Sequence, residues 1–420
     1  MSAFVLWTVV LLTWVVVLRT NRRVSLVLVA CLGLTIYSVS ALSGWVFPLS
    51  SLRHWERVTD AGRYGMALGW LGFLVSVSVA SLGRRPAAQA TAHPNQPPAG
   101  APRPIFYDAP ARNFMLVAIL ASLAGFGYAI YRGGPLFFLP SREQVFQLIY
   151  GAPFLLWRWV NVVGLNVAVA SRRPLPFAFF LGAVLINFLM GDRTVIVLGG
   201  MAALMAGVWQ TPVIRLFRNR WIIGGGVGLV IITLFGKAIY TAVKSASLTS
   251  ASHGFVLDLN NTLMNFEPFM VQHLMDSVIQ YNLTISSGDL LMGIVGQLLI
   301  APSLFGIDSG AYNVLITNTL FPTVTFGIAF SFWAQGYSWL GYFGIFLYGV
   351  IFGSIAIVLT RTANRSGLLW RSFWIICGTV IGIYAHRNSL ENIIAVVRQA
   401  FLAFFPLLLL AYLPRALRRR

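Results

Sequence analysis

Apolar positions run through this chain in long unbroken blocks, separated by short polar or basic stretches. A helix needs roughly 20 apolar residues to cross a bilayer core of about 30 Å. Runs of that kind lie near residues 3–18, 24–42, 64–82, 113–131, 148–170, 175–190, 194–210, 221–240, 338–360, 368–385 and 393–413. The pattern predicts an all-α polytopic transmembrane helix bundle of about eleven spans.

One long stretch departs from it. Lys244–Tyr337 carries Asp258, Glu267, Asp276, Asp289 and Asp308, five of only eleven carboxylates in 420 residues, along with His253 and His273. Within it, Gly288–Ile307 is apolar, but Gly293, Gly296, Gln297 and Pro302 interrupt its helical character. Counting it as a twelfth span would invert every later loop. It reads instead as an external amphipathic or interfacial helix, inside one large extracytoplasmic loop, 241–337, that contains short helices.

The composition agrees with a membrane protein: 58% hydrophobic residues, 10% charged, mean hydropathy +0.78. The net charge of +19 suggests nucleic acid until the charges are placed. Nineteen of the 30 basic residues sit in six clusters, Arg19–Arg23, Arg84–Arg112, Arg172–Arg173, Arg215–Arg220, Arg361–Arg371 and Arg415–Arg420, accompanied by a single acid, Asp108. That asymmetry is the positive-inside rule acting on short loops. It predicts a multi-pass membrane protein with its C-terminus in the cytoplasm and its N-terminus outside. Nucleic acid is set aside as a partner, and anionic membrane lipids account for the basic face.

The first run lacks a basic n-region and a small-residue cleavage site, so it reads as a retained span. Cys31 and Cys377 fall inside predicted helices, and no metal framework or cofactor is expected. Residues 84–112, rich in Pro and Ala, read as a disordered cytoplasmic linker. It joins an N-terminal three-span segment, 1–83, to an eight-span catalytic membrane body, 113–420.

Several residues carry possible chemistry. Gly191-Asp192-Arg193-Thr194 joins two spans at their outer ends; it serves as a tight turn, or Arg193 holds a diphosphate with its fork of donors. The last outer turn reads His386-Arg387-Asn388-Ser389-Leu390-Glu391, with Arg398 in the following span. Positions 387, 391 and 398 share a helical stripe. Asn388 with Glu391 reads as a capping box, with Arg398 paired to Glu391 or reaching outward; against this, intramembrane cations are usually functional. Arg158, between Trp157 and Trp159 in mid-span, must face a cavity or a buried acceptor. Lys237 and Lys244 share one face where a helix leaves the membrane and read as surface anchors or phosphate contacts. Glu267, His273 and Asp276 are alternative general bases for activating a hydroxyl. D-x-D, Walker, H-E-x-x-H and G-x-S-x-G motifs are absent, so ATP-driven transport, metalloprotease and serine-hydrolase chemistry have no support.

From Leu175 onward the chain resembles the bacterial oligosaccharide repeat-unit polymerases, the Wzy-type O-antigen polymerases. The resemblance is carried by FEPFMVQHLMDSVIQYN, by SGDLLMGIVGQLLIAPSLFG and by GIAFSFWAQGYSWLGYFGIFLYGVIFG, together with GDR at 191–193 and Arg387 in the final outer turn. Where the family has Pro-Arg and Lys-Pro, this chain has Ala301-Pro302-Ser303 and Gly306-Ile307, with no basic residue. The resemblance implies a metal-independent glycosyltransferase of the bacterial inner (cytoplasmic) membrane that joins undecaprenyl-diphosphate-linked oligosaccharide repeat units on that membrane's outer face. Arg193, Arg387, Arg398, Lys244 and Arg158 would hold the diphosphate or glycan, with Glu267 or His273 as base and Arg193 steadying the leaving group. A polysaccharide chain-length regulator is a candidate partner. An O-antigen ligase, which makes His273 more important, and a lipid-linked glycan flippase or exporter are the competing expectations.

Overall fold

The computed structural model describes residues 2–46, 56–82, 109–134, 149, 151–190, 192–220, 222–229, 231–232, 267–299, 310–322 and 330–418. Lys237, Lys244, Gly191 and most of the 84–112 linker lie outside these, as do the side chains of Arg193 and Glu267.

The described chain is mostly helical. In order, it forms α1 (Ser2–Thr20), α2 (Leu26–Tyr37), the short α3 (Val39–Ser43), α4 (Asp60–Leu82), α5 (Ala109–Gly133), α6 (Ala152–Ala170), α7 (Pro174–Leu189), α8 (Arg193–Val208) and α9 (Val213–Leu216). Then come α10 (Glu267–Gln280), α11 (Ser287–Leu298), α12 (Ala311–Leu320), α13 (Phe332–Arg365), α14 (Leu368–Thr379) and α15 (Leu390–Arg418). Two-residue strands, β1 (Trp45–Val46) and β2 (Glu56–Arg57), pair antiparallel between α3 and α4. Among the described residues, seven helical segments are long and apolar enough to cross a membrane: α1, α4, α5, α6, α13, Leu368–Arg387 and Leu390–Leu413. Leu26–Tyr37, Pro174–Leu189 and Thr194–Val208 are apolar but shorter. These ten cover all the expected runs except 221–240, which is described only over 222–229 and 231–232.

Local chemistry sets the helix starts. The Ser25 hydroxyl accepts from the Leu28 amide, Ser331 caps α13 at Ala334 (3.3 Å), and proline opens α6 and α7, where no amide donor is needed. At α11 the cap is reciprocal: Ser286 Oγ accepts from the Asp289 amide (3.0 Å) and donates to its carboxylate (2.7 Å).

Two apolar cores fill the bundle. One draws on α1, α2, α4, α10, α12 and α13, so the N-terminal segment shares its interior with residues 274–393. The other is built from α5, α6, α7, α8, α14 and α15. The tightest seam is α4 against α13. A Cβ at Gly72 would overlap the Phe346 carbonyl, one at Gly349 the Gly69 carbonyl, and one at Gly353 the Ser76 hydroxyl. Small residues at four-residue spacing bring backbones together where apolar lipid gives no hydrophobic drive to pack.

Helix α13 is two limbs. At Leu340 and Gly341 the backbone leaves helical geometry, and Gly341 has φ +62° and ψ −145°, a region open essentially to glycine alone. The chain reverses there. Phe332 stacks near Tyr348, with ring centroids 4.5 Å apart, and a Cβ at Gly336 would lie 3.0 Å from the Gly344 carbonyl. The first limb, 332–339, therefore lies antiparallel along the start of the second, 342–365.

Helix α11 also turns inward. Its Gly293 abuts Glu391 and its Leu299 carbonyl accepts from Arg398, so it runs parallel to the first two turns of α15. Leu290, Gly293 and Gly296 are buried, while Leu291, Met292, Val295 and Leu298 are exposed. The segment read as interfacial thus lies along a span, with an apolar face turned outward.

The two ends of the bundle differ in charge. At one end the α1–α2 turn meets the turn after α8: the Val24 amide donates to Thr211 O (2.9 Å) and the Val213 amide to Arg22 O (3.1 Å). Gln210 also contacts Asn364 at the end of α13. Three of the basic clusters, 19–23, 215–220 and 361–371, are thereby drawn to one end. At the other, Ser2 bonds Asp60, and Asp276, Asp289 and Glu391 lie on helices that start or turn there.

Candidate functional site

The acid-bearing end holds three polar assemblies of different character. The first is closed. His386 is fully buried, stacked on Tyr37 and Trp333 with centroids 5.3 and 5.6 Å away, and Phe352 meets it edge-on at 5.0 Å. Trp333 Nε1 donates to His386 Nδ1 (3.1 Å), and its other ring nitrogen, Nε2, lies 3.1 Å from Gly382 O. Because indole can only donate, Nδ1 must accept and Nε2 must carry the proton. Both ring nitrogens are satisfied, so this imidazole is a structural element.

The second joins α10 to the start of α4. Asp276, 5% exposed, accepts from the Thr59 amide (3.0 Å) and from Gln272 Nε2 (2.9 Å). Burial lifts its carboxyl to about 6, against the lowering pull of those hydrogen bonds and of Arg63. His273, half-buried one turn away, is lowered by burial, and Glu56 opposes the shift. Asp276 thus has its acceptor capacity occupied, and His273 retains more access to solvent.

The third is open in its chemistry. Glu391, second residue of α15, is fully buried, with the side chains of Ser389 and Gln335 within hydrogen-bond reach of its carboxylate. Around it stand Tyr312 of α12 and Tyr348 of the second α13 limb, both within electrostatic reach of it and both with unpartnered hydroxyls. Gln335, on the first limb, accepts from the Leu390 amide (2.7 Å), fixing the start of α15, and its side chain also reaches the Glu391 carboxylate. Ser338, one turn on, also has an unpartnered hydroxyl. Gly293 closes the assembly: a Cβ there would overlap Glu391 Oε1 and lie 2.9 Å from its Cγ.

The Asn388–Glu391 capping box expected from sequence is not formed. Ser389 Oγ accepts from the Asn392 amide instead (3.4 Å), while Asn388 Nδ2 donates to Tyr384 O (3.0 Å). Arg398 does not reach Glu391; it donates to Leu299 O and so caps the C-terminal end of α11. Arg387 lies over the Tyr384 ring, 5.7 Å from its centroid, and is half-buried. Arg158 has the buried acceptor its depth demanded: it forms an ion pair with Asp192, 1% exposed, and stacks over Phe154. Arg193 opens α8 directly after that aspartate.

The structure therefore places Glu391 and Arg398 on α15, where both meet α11, leaves Arg387 in the turn before it over Tyr384, and draws Asp192 to Arg158. The polar floor of Tyr312, Gln335, Ser338 and Tyr348 was missed by sequence reasoning, which used FSFWAQGYSWLGY only as part of the family resemblance. The i, i+3 spacing of Gln335 and Ser338 in an apolar run was the available signal. No group of three or more His, Cys, Asp or Glu side chains among the described residues is placed to hold a metal ion. Comparison of the chain with protein-family models, with curated proteins and with solved structures gives no match.

Proposed function

We propose that this protein is a glycosyltransferase of the membrane interior that extends a polysaccharide from lipid-linked, diphosphate-activated oligosaccharide units. The observation that carries the proposal is the placement of unpartnered polar groups inside an apolar bundle, where two in-turning segments meet the start of α15. Polar side chains at such depth are costly and are retained for function. The floor lies at the end opposite the basic loops, which suits an extracytoplasmic reaction on a lipid-anchored substrate. Arg193 and Arg387 supply guanidinium groups for the leaving diphosphate, and the outward apolar face of α11 offers a path for a polyprenyl tail.

The test is glycan length in a deletion strain complemented with wild type, Arg193→Ala or Arg387→Ala at matched expression. The proposal expects single repeat units without longer chains in both variants. Wild-type chain length in both removes it. A second reading, a proton-coupled exporter of lipid-linked glycan, draws on the buried Glu391, with which no cation among the described residues pairs. It expects full-length lipid-linked polymer to accumulate on the inner face of the membrane.

A further inference from the structure

Building on that reading, we infer that Glu391 is the proton acceptor for the attacking hydroxyl, in a site made by Tyr312, Gln335 and Tyr348 for a neutral polyhydroxylic ligand. Four elements bring it together, α12, both limbs of α13, and α15; all four side chains are 0–2% exposed, and the hydroxyls of Tyr312 and Tyr348, both within electrostatic reach of Glu391, make no hydrogen bond. An unsatisfied buried polar group costs about 1–3 kcal/mol, and a charge costs more. Orphans that converge in one place point to a ligand that completes them.

Their chemistry selects the ligand. The two ion pairs among the described residues are Arg63–Asp60 and Arg158–Asp192, so no cation pairs with Glu391 there. A carboxylate accepts, phenols accept and donate, and the Gln335 amide donates. That set complements sugar hydroxyls and repels a phosphate. The diphosphate is thereby assigned to the Arg residues and the acceptor sugar to this floor. Glu391 is also better placed as a base than His273 or Asp276. Asp276 is committed to Thr59 and Gln272, and His273 lies within electrostatic reach of Glu56.

In the step, the acceptor hydroxyl gives its proton to Glu391 as its oxygen bonds to the donor's anomeric carbon. The bond from that carbon to the diphosphate oxygen breaks, and the diphosphate leaves with the electron pair. Glu391 then returns its proton to water. Gly293 abuts the carboxylate, so α11 is the wall that moves aside to admit the hydroxyl; it is tied at its ends by Trp339 to Ser287 (2.9 Å) and by Arg398 to Leu299.

The experiment uses detergent-purified full-length protein and lipid-linked oligosaccharide extracted from a strain lacking this chain. Glu391→Gln preserves shape and is expected to lower kcat at least about 100-fold with little change in KM. It should also abolish the acid limb of the pH–rate profile, with Glu391→Asp restoring part of both. If Glu391→Gln keeps wild-type kcat while Arg193→Ala is inactive, the base lies elsewhere and the glycosyltransferase reading stands. If wild type makes no polymer without a proton gradient, the reading itself fails. Should Glu391→Gln not fold, as judged by its thermal transition, Glu391→Asp and Tyr348→Phe carry the test. An acid limb unmoved in both overturns the assignment.

Discussion

Arg158 in mid-α6 and Asp192 at the start of α8 form a buried ion pair, 13% and 2% exposed in their side chains. Removing one partner of such a pair strands a buried charge and costs about 3–5 kcal/mol, whereas replacing both with apolar groups is often neutral. Arg158→Met and Asp192→Leu are each expected to lower the thermal transition sharply and reduce yield. The double variant should recover most of the loss. Under the proposed function, polymer yield in the double variant separates a structural pair from a substrate contact: recovered fold with lost polymer would assign Arg158 to the substrate.

Gly341 isolates backbone from packing. A Cβ there meets nothing within 4 Å, so Gly341→Ala tests only the φ of +62°. We expect a loss of about 1–3 kcal/mol. Gly367→Ala, equally open in space but with φ −64°, is the control and should be nearly silent. Equal transition temperatures for the two variants would contradict the reversal at residue 341.

Close approach dominates at Gly33. A Cβ would overlap the Gly382 carbonyl, which is backbone and cannot step aside, and would press to 3.2 Å from His386 Nε2. Gly33→Ala should destabilise by about 1–3 kcal/mol through overpacking. Tryptophan emission gives an independent readout, since Trp333 donates to His386.

Asp276 and His273 give stability a pH dependence of two signs. The folded carboxyl of Asp276 titrates near 6, above its usual 3.8, so its contribution is full below about pH 4 and declines as pH rises to 6. The decline amounts to roughly 2–3 kcal/mol at about 1.4 kcal/mol per pH interval. His273 is lowered, so its contribution is present above its unfolded value of 6.5 and is lost as pH falls below it. Asp276→Asn should flatten the fall in transition temperature between pH 4 and 6, and His273→Gln should steepen it. A wild-type slope unchanged in Asp276→Asn would remove the aspartate from this account.

The helices were legible because hydropathy over some twenty residues reports lipid-compatible length directly. The requirement for a buried partner at Arg158 was legible as well, since a mid-span cation must be neutralised. Which residue would meet it was not, because Asp192 lies in another helix-joining turn, 34 residues away in sequence. Hydropathy is also blind to direction. It read Phe332–Arg365 as interfacial aromatics followed by a span, whereas Gly341 folds the first limb back along the second. The polar floor was hidden for the same reason: Tyr312, Gln335, Tyr348 and Glu391 are assembled by packing among elements far apart in the chain, and Glu391 alone read as a helix cap.

The bond from the Leu390 amide to Gln335 spans 55 residues of chain. During synthesis at about 5–20 residues per second, the first limb of α13 emerges several seconds before its partner exists. Until α15 arrives, Gln335 has no helix start to hold, although the limb is already laid along its partner limb by the reversal at Gly341. The wall and floor around Glu391 are consequently the last region to mature, completed only when the final helix is threaded. A chain truncated before Leu390 would carry nearly all of its apolar helices and lack Glu391.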